Sequence, residues 1–258
     1  MGRLSGKVAI ITGASTGLGP VMAKAFVREG AKCVLAARKE ELVMKAAAAA
    51  GEGAIGMRAD VSREEDVAAM VDLAMREFGQ VDIMMNNAAV PGTDKFVWEQ
   101  TLDNWNTTIA IDVTAAMLCT REVLNRSMMA RKTGSIVNFS SSAGFTGLPR
   151  KTHYSTAKAA LRALTITVAR EVGPMGIRCN CIVPSIETEL AQNYRRRIAG
   201  EQGRSYEEVT AEALAAVPLR KHTTREEVTE LCLFLASDES SAITGQSIHI
   251  NSGNYMPG

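Results

Sequence analysis

The stretch KVAIITGASTGLG, residues 7–19, carries an unbroken apolar run into a turn with glycine at 13, 17 and 19. Hydrophobic residues at consecutive positions suit a strand buried on both faces. The glycines permit a tight turn and a close approach of backbone to a ligand. A helix predicted over about 18–29 then points its N-terminus at that turn, an arrangement that receives a pyrophosphate. An ordinary strand-to-helix loop has the same look in isolation, so the rest of the chain has to decide between the two readings.

The alternation continues along the whole chain. CVLAA, AIGMRA, VDIMMNN, SIVNFS, IRCNCIV and QSIHI read as further strands. Between them the pattern predicts helices through the alanine run 46–50 and over 63–78, about 99–132, 154–172 and 225–236. About seven buried strands, separated from one another by helices, predict an α/β fold: a doubly wound parallel sheet with helices on both faces, Rossmann-like in plan. No repeat or low-complexity linker divides the 258 residues, so residues 1–258 read as one dinucleotide-binding and catalytic domain. The departure is 185–224, polar with helical patches and otherwise irregular, a length that reads as a substrate loop or lid.

Composition excludes several classes. With 29 basic against 28 acidic residues the net charge is +1, which gives no global field for nucleic acid or an anionic membrane. No apolar run approaches the roughly 20 residues that cross a bilayer, and the start lacks the long apolar core of a signal peptide, so the chain reads as cytoplasmic. Cys33, Cys119, Cys179, Cys181 and Cys232 are odd in number and sit mostly in apolar segments, as buried thiols do. His153, His222 and His249 lack metal-ligand spacing, and no metal is expected.

If the first turn is a cofactor site, Gly13, Ser15, Thr16, Gly17, Leu18 and Gly19 face the phosphates. Selectivity is then set where the second strand ends, since an acid there holds the ribose 2′-hydroxyl of NAD and an arginine accommodates the 2′-phosphate of NADP. The strand ends in Ala37, Arg38 and Lys39, with no acid before Glu40, which favours NADP(H) over NAD(H). The alternative is that Arg38 and Lys39 are solvated surface residues. Asp60 and Val61 close the third strand, where Asp60 is positioned to contact the adenine.

A second signal lies in HYSTAKAAL, residues 153–161. Tyr154 and Lys158 are one helical turn apart on one face, so a phenol and an ammonium are neighbours. Tyrosine ionises near pH 10, too high for a base at neutral pH, and a cation within a few ångströms favours the phenolate.

Together these motifs resemble the short-chain dehydrogenase/reductase family over essentially the whole chain. The resemblance rests on Thr12, Gly13, Gly17 and Gly19, on Asn86, Asn87, Ala88 and Ala89 with alanine in place of the family's last glycine, on Ser141 in FSSSAG, and on Tyr154 with Lys158. It implies an oxidoreductase in which Tyr154 exchanges a proton with the substrate oxygen, Ser141 hydrogen-bonds that oxygen, and Lys158 also holds the nicotinamide ribose. It further implies cofactor contacts from Asn87, Ala88, Ala89, Pro184, Ile186 and Thr188, and pairing through the helix ALRALTITVAREVG into a homodimer or homotetramer.

Three positions depart from the family pattern. Asp112 stands where an active-site asparagine is usual, Ser185 follows Pro184 where glycine is usual, and NSG replaces an acidic, glycine-rich turn near the end. Asp112 has two readings. It is either a structural substitute whose backbone holds a relay water, the preferred one, or an extra carboxylate near Lys158 that changes the pH profile.

For the substrate, a small carbonyl or alcohol compound, Arg150, Lys151 and Arg195 with its neighbours Arg196 and Arg197 suggest an anionic group, since arginine pairs bidentately with carboxylate and phosphate. A solvated helix face or subunit salt bridges account for them equally well. Met117, Met175 and Trp98 are candidates for an apolar pocket, with core packing the better reading of the methionines. Two functions stay open: an NADP(H)-dependent ketone reductase or secondary-alcohol dehydrogenase, and a cofactor-binding sensor or assembly subunit with little turnover.

Overall fold

The computed structural model describes residues 2–187 and 189–256. Seven parallel strands form one sheet: β1 (Val8–Thr12), β2 (Lys32–Ala37), β3 (Ala54–Arg58), β4 (Ile83–Asn86), β5 (Gly134–Phe139), β6 (Ile177–Pro184) and β7 (Ser247–Ile250). Their order in space is β3-β2-β1-β4-β5-β6-β7, so the winding reverses between β1 and β4. At such a switch point the chain leaves neighbouring strands in opposite directions and opens a crevice above their carboxyl ends.

The strand period of two sorts the apolar residues onto two faces. Ala9 and Ile11 of β1, with Leu35 and Met85, pack under α1 (Gly19–Arg28), α2 (Glu40–Ala50) and α11 (Arg225–Ala236). Val8 and Ile10, with Val34, Met84 and Ile136, face α3 (Glu64–Phe78), α5 (Ala115–Val123) and α8 (Thr152–Val172). Residues that alternate along each strand thus feed two cores, which is why the central strands are apolar throughout. The edge strands β3 and β7 are only partly buried. All five cysteines are buried free thiols.

Two expectations change. Thr101 caps α4 (Leu102–Ile109) by accepting from the Asn104 amide, so the long helix begins after 99. A π-helical turn at Ala110–Thr114 leads into α5, and a second at Leu124–Met128 leads into α6 (Met129–Arg131). The 185–224 segment is not irregular. After β5 and the short α7 (Ala143–Thr146), and beyond β6, it forms α9 (Glu189–Gln202) and α10 (Tyr206–Ala215). Ser205 and Glu208 cap α10 reciprocally, and a bridge from Ile186 to Thr223 closes the excursion at its base. Thr188 lies outside the described residues. Among the described residues no helix is long and apolar enough to cross a membrane.

Candidate active site

Above the switch point lies a cavity of about 650 Å³. The predicted residues Gly13, Ser15, Thr16, Leu18, Arg38, Lys39, Asp60, Val61, Asn87, Ala88 and Ala89 line it, together with Val90 and Ile111. Gly17 and Gly19 support the turn without lining the cavity. A Cβ on Gly13 would lie 2.8 Å from the Ala88 Cα, and one on Gly19 would lie 2.6 Å from the Ala14 Cα. The turn is therefore folded tightly onto itself and onto the end of β4. Thr12 fastens it there: its Oγ1 accepts from the Asn87 and Ala88 amides at 3.1 Å, and the Asn87 side-chain amide donates to the Thr12 carbonyl at 2.8 Å.

Helix α1 opens on this cavity without a side-chain cap and without an acidic residue in its first turn. Helices α2, α3, α10 and α11 all carry glutamates there. An uncapped N-terminus presents free N–H groups and the positive end of the helix dipole. With the glycine turn beside it, this end of the cavity suits a pyrophosphate. At the other end, burial pushes the Asp60 carboxyl up. The Ser62 hydroxyl and amide more than offset this, helped by Arg38 and Arg63, and hold it below the ordinary range.

Val90, on the wall of this cavity, leads to Asp112, Lys158 and Tyr154. Its amide donates to Asp112 Oδ1 at 2.8 Å, and Asp112 Oδ2 lies 3.0 Å from Lys158 Nζ. Both residues are only 2% exposed. Lys158 Nζ also donates to the Phe139 carbonyl at 3.0 Å and lies 5.4 Å from the centre of the Tyr154 ring. Burial pushes the Asp112 carboxyl up, opposed chiefly by Lys158. The Asp112 carboxylate itself meets the lysine. Ser141 follows β5, and its Oγ accepts from the Ala143 amide at 3.2 Å.

Three supports were not anticipated from the sequence. Ser140 Oγ donates to the Lys158 carbonyl at 2.7 Å, tying β5 to α8. Asn86, Asn138 and Thr165 form a buried hydrogen-bond chain across β4, β5 and α8. His153 is fully buried: Nε2 lies 3.1 Å from the Pro91 carbonyl and Nδ1 2.6 Å from the Gln100 side-chain amide, contacts that fix the ring's orientation. The signal available for His153 was its place beside Tyr154, but its partners lie more than 50 positions away.

The remaining candidates scatter. Pro184 ends β6 in register with Ile250. Ile186 and Arg195 line a separate cavity of about 230 Å³ beneath α10, with Lys221, His222, Asn251 and Asn254. Arg195 is mostly buried and paired with Glu187, not open to solvent, and Arg196 bonds Asn193. Lys151 pairs with Asp94, and the Arg150 guanidinium lies over the Phe96 ring. Trp98 is 77% exposed and stacks on Phe96, so it lines no apolar pocket. Met117 is exposed as well, because Ala115, Leu118 and Cys119 take the inward face of α5, which corrects the expectation of core packing. Met175 is partly buried against the second core.

Residues 13–254 match a family described as enoyl-(acyl carrier protein) reductase. The 3-oxoacyl-(acyl-carrier-protein) reductase FabG of Salmonella typhimurium is 32% identical over 252 residues, covering 97% of this chain and 98% of the relative. Oxidoreductase UcpA of Escherichia coli K12 is 37% identical over 261 residues, covering 100% and 97%. Among solved structures, NAD+-bound xylitol dehydrogenase superposes with a TM-score of 0.86 at 30% identity, covering 97% of this chain and 99% of that one. An actinorhodin polyketide ketoreductase with NADPH gives 0.88 at 28%, covering 98% and 99%.

Proposed function

Since the chain belongs to the short-chain dehydrogenase/reductase family of oxidoreductases, we propose that it is an NADP(H)-dependent enzyme that reduces a ketone or oxidises the matching secondary alcohol. The observation that carries this reading is the buried Lys158 ammonium beside the Tyr154 ring, next to a cavity whose glycine turn and uncapped helix suit a dinucleotide. Bound nicotinamide supplies or accepts the hydride. Tyr154 Oη donates a proton to the substrate oxygen in reduction and recovers it in oxidation, and the Ser141 hydroxyl hydrogen-bonds that oxygen as negative charge develops.

Arg38 and Lys39 support NADP(H), because both line the cavity where β2 ends and the first acids, Glu40 and Glu41, belong to the first turn of α2. The NADPH-bound ketoreductase agrees with this, and the NAD+-bound dehydrogenase marks the competing choice. An anionic substrate is part of the proposal: Arg195, Lys221 and His222 line the cavity beneath α10, where a substrate anion would have to displace the Glu187 and Glu227 carboxylates that now pair with them. The exposed Met117 of α5 and Ile166 of α8 support pairing into a homodimer or homotetramer through these helices.

The test is NADPH consumption against a panel of neutral and anionic ketones, with Tyr154→Phe as the control. Turnover should fall by about 10²–10⁴-fold in the variant, the usual range for losing a general acid, while NADPH affinity holds. Equal turnover in the two proteins would dispose of the assignment. Tight NADPH binding without turnover on any ketone would favour the sensor instead.

A further inference from the structure

The cation beside Tyr154 does not act alone. Asp112 sits in the π-helical turn Ala110–Thr114 and brings a second charge into the protein interior, 3.0 Å from Lys158 Nζ. A lone ammonium at that place would pull strongly on a phenol proton. An ammonium already matched by a carboxylate is a neutral pair, whose field falls off faster with distance, and in a poorly screened interior that difference is large. The Phe139 carbonyl adds a further negative partial charge on the same Nζ.

We propose that Asp112 is a positioning residue that clamps Lys158 and restrains the ionisation of Tyr154, so that the phenol stays protonated to higher pH and the site is biased toward donating a proton. The inference rests on the reading of Tyr154 as the proton donor. Its consequence is directional, because a phenol that holds its proton suits carbonyl reduction: its O–H bond breaks as the substrate oxygen is protonated, and solvent restores the proton. Alcohol oxidation requires the phenolate and is shifted to more alkaline pH.

The other titratable groups around the pair leave Asp112 as the source of negative charge. On α8, His153 contacts Pro91 and Gln100 and brings no negative charge, and Arg162 is turned onto the Phe145 ring of α7. From β6, burial pushes the Cys181 thiol up to about 11. The strand β5 offers only the Phe139 carbonyl and the neutral Ser140. The nearby loop carries Asp94, already paired with Lys151.

Asp112→Asn removes the charge while keeping an oxygen to accept the Val90 amide, and Asp112→Ser is a second uncharged variant should the first fail to fold. The phenolate absorbance of the cofactor-free protein is titrated with pH, and subtracting the same titration in a Tyr154→Phe background isolates Tyr154 from the other tyrosines. Its midpoint should fall by about one pH unit in either folded variant, in keeping with the loss of one nearby charge. The pH dependence of alcohol oxidation should move in the acid direction by a similar amount. An unchanged or raised midpoint overturns the proposal. Because the titration needs neither cofactor nor substrate, it reports on Asp112 even if Tyr154→Phe turns over normally and the functional reading fails.

Discussion

Two cavities of this molecule are built in opposite ways. At the β1–α1 turn, recognition is offered by main chain: small residues fold onto one another so closely that a single added carbon at Gly19 meets backbone at 2.6 and 2.7 Å. In the α9–α10 excursion, recognition would fall to side chains, with Glu187, Arg195, Lys221 and His222 around a cavity that Ile186, Leu214 and Val217 also line, and α10 contributes only Val209 to the buried set. A cofactor site made of backbone cannot be altered without altering the fold. An excursion of exposed helices can change its side chains freely, as a substrate-selecting part of an enzyme would need to.

Glycine substitutions break this comparison most sharply. Gly19→Ala should cost about 2–4 kcal/mol, since the new carbon can be housed only by moving backbone, and should abolish NADPH binding. Gly200→Ala, in the last turn of α9 with nothing within 4 Å of the added carbon, should raise stability by a few tenths to about 1 kcal/mol through helix propensity. Gly17→Ala falls between them. It has open space but a φ of +66°, so it costs on the order of 1 kcal/mol in backbone strain. Thermal melts and fluorescence titrations with NADPH read all three. Equal losses at Gly19 and Gly200 would mean that the α9–α10 excursion is as tightly constrained as the turn.

The same division explains what could be read from the sequence. The glycine turn, the strand order of burial and the Tyr154–Lys158 pair are legible because each depends on local spacing: the turn demands glycine, and the helix puts i and i+4 together. The Asp112–Lys158 contact, the Ser140 tie and the His153 network depend on which strand lies beside which, and no short-range pattern records that. Trp98 and Met117 misled for a related reason. An apolar side chain in the sequence says nothing of which way its helix or loop is turned, and neighbours such as Leu118 had already taken the inward face.

Arg38 tests whether any side chain matters at the cofactor end. It lines the cavity just beyond β2. Arg38→Ala should weaken NADPH about tenfold, near 1.4 kcal/mol, and leave NADH within about twofold, because only the 2′-phosphate makes use of the guanidinium. Fluorescence titrations with each dinucleotide check this. Equal weakening of both would assign Arg38 to the fold, and no effect on either would return it to the solvated surface.

The smallest expected effect sharpens the comparison further, because the same device opens one helix of the excursion and one helix packed on the sheet. Ser205 accepts from the Glu208 amide at 3.1 Å while Glu208 accepts from the Ser205 amide at 2.9 Å, opening α10. Thr224 and Glu227 repeat these bonds at 3.1 and 2.9 Å, opening α11. Replacing either cap by alanine removes a similar local interaction, about 1 kcal/mol. The consequences should differ because α11 buries Val228, Cys232, Leu233 and Leu235 against the sheet, whereas α10 packs mainly on its own excursion. Thr224→Ala should therefore lower the melting temperature of the whole chain. Ser205→Ala should leave it in place and instead speed amide exchange across 206–215 about fivefold, since a helix that opens by itself loses its own stability and not that of its neighbours. If Ser205→Ala lowered the melting temperature as much as Thr224→Ala, the excursion would be folding as one unit with the sheet, and its freedom to specialise would be as limited as that of the glycine turn.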